Sequence, residues 1–97
     1  MSDDEKRTLA LLEANHTFPG EFPLTVIALN NDAVTAAIVV SVEEGMEGRL
    51  AADAHETHLS SGGKYRSHRL RVPCAAAADV IRLYARVRGV DGVLTVL

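Results

Sequence analysis

Two strand-like stretches, the largely apolar Phe22–Leu29 and the alternating Lys64–Pro73, each lead almost directly into a segment of helical period, and each such helix is followed by a further strand-like stretch. A chain that alternates strand and helix in this way, with a tight turn between its halves, has few ways to bury both helix faces on one sheet.

The first run, Phe-Pro-Leu-Thr-Val-Ile-Ala-Leu, has the length and β-branched content of a buried strand, with Phe22, Leu24, Val26 and Ala28 on one face. Asn30-Asn31-Asp32 then supplies side-chain acceptors for the free amides of a first helical turn, which predicts a helix over 33–44 ended by Gly45. Its apolar stripe is Val34, Ala37, Ile38, Ser41 and Val42. Residues 49–59 carry only a weak strand signal. Ser60-Ser61-Gly62-Gly63 is a turn, and 64–73 is the strand that closes a hairpin with what precedes it. Along that strand His68, Leu70 and Val72 point to the core, and Tyr65, Ser67, Arg69 and Arg71 to the other side. A second helix spans 75–88, with Ala77, Val80, Ile81, Tyr84 and Val87 on one side and Gly89 as its cap, before a last strand over 93–97. Residues 1–8 are charged and expected to fray ahead of a short helix over 8–14, and Phe18-Pro19-Gly20-Glu21-Phe22-Pro23 is a stiff connector.

The order β-α-β-β-α-β is the split β-α-β pattern, an α+β domain with a four-stranded antiparallel sheet in spatial order 4-1-3-2 and two helices on one face. Residues 1–15 form an N-terminal extension, and 16–97 one domain. The sheet's other face and its outer strands are left open to a partner.

The 97 residues suit one core, not two. Only Phe18, Phe22, Tyr65 and Tyr84 are aromatic, so platforms for stacked bases are scarce and nucleic acid is disfavoured as a partner. The lone Cys74 offers neither a disulfide nor a cysteine zinc cage. A reducing cytoplasm is the expected home, because the acidic Met-Ser-Asp-Asp-Glu start is unlike a secretory signal and the longest apolar run, 36–40, is far short of a membrane span. Charge is lopsided: residues 1–63 hold 11 acids and 3 bases, and 64–97 hold 7 bases and 2 acids. Such asymmetry steers an anionic partner or orients self-association.

The string Ser60-Ser61-Gly62-Gly63-Lys64-Tyr65-Arg66-Ser67, with Phe18-Pro19, Phe22-Pro23-Leu24 and the closing Gly92-Val93-Leu94-Thr95-Val96-Leu97, resembles the YbeD-like family of small bacterial proteins of uncharacterised function. The resemblance covers about residues 11–97. It implies a ferredoxin-like fold similar to ACT domains, regulatory modules that commonly pair side by side and bind small ligands such as amino acids at the junction. It implies no established catalytic activity. Where ACT modules often place a glycine after the first strand, this chain has Asn30-Asn31-Asp32.

Candidate ligand-binding residues fall in two sets. Ser60, Ser61, Gly62, Gly63 and Lys64, beside Tyr65, combine free backbone amides with hydroxyl and ammonium donors suited to a small anionic metabolite. The plainer reading is a hairpin turn with a solvated lysine. Arg69 and Arg71 share the open face and suit carboxylate or phosphate, although charges on an exposed sheet also guard solubility.

His55-Glu56-Thr57-His58 lacks the zincin spacing, and on a strand His55 and His58 point to opposite faces and cannot share one ion, whereas Asp53 and His55 can as a pair. Cys74 is expected at the start of the second helix, where the dipole lowers a thiol pKa. Acylphosphatases share the topology but need an arginine and a phosphate loop that Asn30-Asn31-Asp32 does not provide.

No catalytic constellation, cofactor or metal site emerges. The expectation is a non-enzymatic module that forms a homodimer or docks another protein through its sheet edge or open face and takes a small anion. A small anion-handling enzyme built on residues 60–71 and an RNA-binding module are the competing readings.

Overall fold

The structure is a computed structural model that describes residues 2–97. In chain order its elements are α1 (Asp3–Asn15), β1 (Gly20–Leu29), α2 (Asp32–Met46), a 3-10 turn (Ala52–Ala54), β2 (His55–Leu59), β3 (Tyr65–Cys74), α3 (Ala77–Arg88) and β4 (Val93–Val96). The four strands form one antiparallel sheet in the order β2-β3-β1-β4. This is the α+β ferredoxin-like arrangement expected from the pattern, with a helix added at the N-terminus.

β1 and β3 pair without interruption from Gly20 opposite Cys74 to Leu29 opposite Tyr65. Alternation along them puts Phe22, Leu24, Val26 and Ala28 with His68, Leu70, Val72 and Cys74 on one side, all buried. Ile38 and Val42 of α2, with Ala77, Val80, Leu83 and Val87 of α3, cover that side. A fully buried Ile or Leu side chain contributes about 1.5–3 kcal/mol, so this single layer supplies most of the driving force.

Several boundaries differ from the sequence reading, each for a local reason. Residues 3–8 are helical, the first turns of α1. Ser2 Oγ accepts the Glu5 N–H at 3.1 Å, and Asp3, Asp4 and Glu5 complement the amide end of α1. α2 runs through Gly45, because Met46 packs against the core and keeps two further residues helical; the helix stops at Glu47, whose φ is 54°. Its line toward the core is Val34-Ile38-Val42, spaced by four, with Val34 partly and Ile38 and Val42 fully buried, which leaves Ala37 outside. β2 is half the expected length, since residues 52–54 wind into a 3-10 turn that buries Ala54. β1 begins at Gly20, and β3 is shifted one residue to 65–74. α3 begins at Ala77, where Asp79 Oδ2 accepts the Ala75 and Ala76 amides at 3.0 Å. On α3, Leu83 is buried, whereas Ile81 and Tyr84 lie half-exposed, and Tyr84 meets the Phe22 ring edge-on at 6.1 Å.

α1 docks through the partly buried Leu12, and the His16 ring behind it lies 4.9 Å from that of Phe22. No residue of α1 is fully buried.

Gly92 ties the end of the chain to α2. Its φ is +91°, and a Cβ there would stand 2.7 Å from Val34 Cγ2. Gly92→Ala is therefore expected to cost on the order of 2 kcal/mol in chemical denaturation, and Val34→Ala in the same chain to recover the steric part but not the backbone part.

Candidate functional site

The face of the sheet opposite the helices is uncovered. Strand register sets its side chains in rows: Glu56, Arg69 and Thr25 in one, and His58, Ser67, Ile27 and Thr95 in the next. Arg71 is compensated there, because Glu21 lies at 3.8 Å and Asp53 at 3.7 Å, and its Nη2 donates to the Asp53 carbonyl at 2.9 Å. Arg69 has no carboxylate within ion-pairing distance among the described residues. It borders a shallow dish of about 210 Å³ with Thr25, Glu56 and Pro23.

The Ser60–Lys64 turn is tied down from both sides. The Ser60 N–H donates to the Tyr65 carbonyl at 2.9 Å, and Ser60 Oγ accepts the Tyr65 N–H at 3.0 Å. The Gly63 N–H donates to the Ser60 carbonyl at 2.9 Å, with φ +70° at Gly63. From the end of β1, Asn30 Nδ2 donates to the Gly63 carbonyl at 2.8 Å and the Asn30 N–H to the Lys64 carbonyl at 3.0 Å. The Lys64 ammonium stands 5.3 Å from the centre of the Tyr65 ring. The Gly63 and Tyr65 amides are thus engaged within the turn, which leaves fewer donors for an anion than the sequence suggests.

The eight candidate residues separate into two groups. Arg71 stands seven strand steps, about 24 Å, from Lys64, so the turn and the Arg69–Arg71 pair address different ligands. Sequence reasoning also missed Arg66. Its even position sends it to the helix side, where Nε donates to Asn30 Oδ1 at 3.1 Å and an Nη to Thr57 Oγ1 at 2.9 Å. The parity that placed Arg69 outward was the available signal.

His55 does not join Asp53. It turns inward, and its Nε2 lies 2.9 Å from His68 Nδ1, one ring donating to the other. His68 has no exposed surface, and its Nε2 finds no partner among the described residues. Burial first, then the His55 ring and the Arg66 guanidinium, push its pKa down to about 4, and burial with Arg66 lowers that of His55. His58 lies on the opposite face. Among the described residues, no three His, Cys, Asp or Glu side chains gather closely enough to hold a metal ion.

Cys74 ends β3 and does not begin a helix, so the expected dipole effect is replaced by its opposite: burial, reinforced by Asp79, raises the thiol pKa. It lines a larger cavity, about 720 Å³, at the end of the sheet remote from the hairpin, with Met46, Val72 and Leu83 below. Two ion pairs stand at its mouth, Arg86 with Glu44 at 3.7 Å and Arg82 with Asp79, beside the carboxylates of Glu21 and Glu47. The sequence reading did not find this cavity, because its walls come from four separate segments.

Fold and surface together define a small α+β sandwich with one bare sheet face, and no helix of the described residues is long and apolar enough to cross a membrane. A family model described as protein of unknown function, DUF493, matches residues 13–97, so the chain belongs to that family. It is the family to which the YbeD-like resemblance pointed. No curated protein matches the chain.

The buried His68 makes stability depend on pH. Its native pKa lies below the ordinary 6.5, so the unfolded chain takes up the proton first; the full contribution is present above pH 6.5 and is lost as pH falls toward 4. Thermal midpoints of the wild type are expected to drop across that window. The drop should be smaller in His68→Leu, which removes the titrating ring.

Proposed function

We propose that the protein is a non-catalytic interaction module that accepts a partner by strand addition at its β2 edge and presents the adjoining open face to it. The observation that carries this reading is the state of β2. The Ser60–Tyr65 hydrogen bond sets the antiparallel alternation, so residues 56 and 58 turn their backbone groups toward β3, while His55, Thr57 and Leu59 turn theirs outward. β2 contains no proline or lysine and pairs with β3 without a bulge, and Glu56 is its one carboxylate against pairing at the edge. Leu59 at its end is 56% exposed. β4, the other outer strand, is four residues long and pairs with β1 across a register shift between Ile27 and Ala28, which twists that edge away.

Binding rather than catalysis is supported by the dispersal of the polar groups. The turn, the Arg69 dish and the His55–His68 pair occupy three separate places. The dish beside β2 gives a docked strand a seat for a carboxylate at Arg69.

Thr57→Pro removes the central outward N–H without removing a ladder bond, and Thr57→Val keeps that N–H while removing the hydroxyl that Arg66 uses. With each variant immobilised as bait, Thr57→Val is expected to retain its protein partner like the wild type, and a folded Thr57→Pro to retain at least tenfold less. Equal retention by the proline variant would sink the reading.

A further inference from the structure

We infer that the partner at this edge is a second copy of the chain, joined β2 to β2 in antiparallel about a two-fold axis through Thr57; the inference rests on the strand-addition reading above and names its occupant.

The argument comes from the register that the free backbone groups permit. Only His55, Thr57 and Leu59 direct their N–H and C=O outward, so two copies exchange hydrogen bonds only where odd positions face odd positions. Three antiparallel registers keep substantial overlap. In one, Glu56 of each copy faces Glu56 of the other, placing two carboxylates in a directly opposed pair. In another, His58 faces His58. In the register centred on Thr57, each Glu56 faces the His58 of the second copy on the open side of the sheet, which juxtaposes carboxylate and imidazole twice. The segment His-Glu-Thr-His-Leu is thus self-complementary about its middle residue.

The other face of the strand agrees. Leu59 and His55 both point to the helix side. In the Thr57-centred register the exposed Leu59 of each copy lies against His55 of the other, whose ring is already anchored on His68. The result is one continuous sheet across both copies, with all helices on the same side and an open face doubled in width. An isologous contact of this kind closes on itself, so association stops at the dimer. Each copy's Arg69 stands beside Glu56 in the same row, next to the new seam.

The test is sedimentation equilibrium of the full chain over a wide concentration range. His58 faces Ser67 within its own chain, so His58→Glu leaves the fold intact, as circular dichroism will check, but sets a glutamate against Glu56 of the other copy at two places. The expected result is a dimer in the wild type, about tenfold weaker association in His58→Glu, and recovery to within about threefold when Glu56→Gln is added. Slowed amide exchange at His55, Thr57 and Leu59, absent on dilution to monomer, is the accompanying readout.

A wild-type chain that stays monomeric overturns the inference, while strand addition stands if Thr57→Pro still releases a different captured protein. A dimer that ignores His58→Glu, or that Glu56→Gln fails to restore, also overturns it.

Discussion

The uninterrupted pairing of β1 with β3 is the constraint on which the rest of the structure depends. Its register aligns the inward residues of both strands into one apolar surface. A one-residue slip would turn Phe22, Leu24, Val26 and Ala28 out to water together. The buried stripes of α2 and α3 have no other surface to cover. Because the described residues supply only these two long apolar helical stripes, and α1 buries no residue fully, one face of the sheet is closed and the other stays open. The accessible edge follows from the same economy: a four-stranded open sheet of this size ends in water on both sides.

Within that core the exception is His68. An apolar side chain would pack there without an orphaned nitrogen, and a buried polar atom with no partner costs about 1–3 kcal/mol. Its other nitrogen reaches across to His55 on β2, so the core is linked by a hydrogen bond to the strand that forms the free edge. Arg66 adds a second such link through Thr57 and continues it to Asn30, which in turn holds the hairpin turn. The edge strand is short, and these polar ties hold its inward face in place of the apolar cover that α2 gives the central strands. A rigid, ordered edge loses less entropy when another strand adds to it.

The functional reading therefore rests on surfaces and not on a reacting centre. Arg71 is neutralised by Glu21 and Asp53, whereas Arg69, two residues away on the same face, has no carboxylate at ion-pairing distance among the described residues. The larger cavity at the far end of the sheet is bordered by one ion pair across the gap between α2 and α3, Arg86 with Glu44, and by another within α3, Arg82 with Asp79.

Much of the fold was legible because it depends on short-range periodicity. Alternation placed His68, Leu70 and Val72 inward and Arg69 and Arg71 outward, and Asn31 caps α2 with its Oδ1 accepting the Ala33 N–H at 2.8 Å. Spacing alone could not say how far α2 runs past Gly45, why Ala37 lies off the buried line, or that Cys74 closes a strand, since packing against other elements decides each of these. The candidate site was legible only in part. The sequence by itself determined the order of strands and helices and which residues alternate to which face, through the fixed two-residue and 3.6-residue repeats of the backbone. Tertiary structure alone decided that Arg66 reaches Asn30 and Thr57 and that His55 meets His68, because each of those contacts joins positions whose distance is set by cross-strand register and not by their separation along the chain.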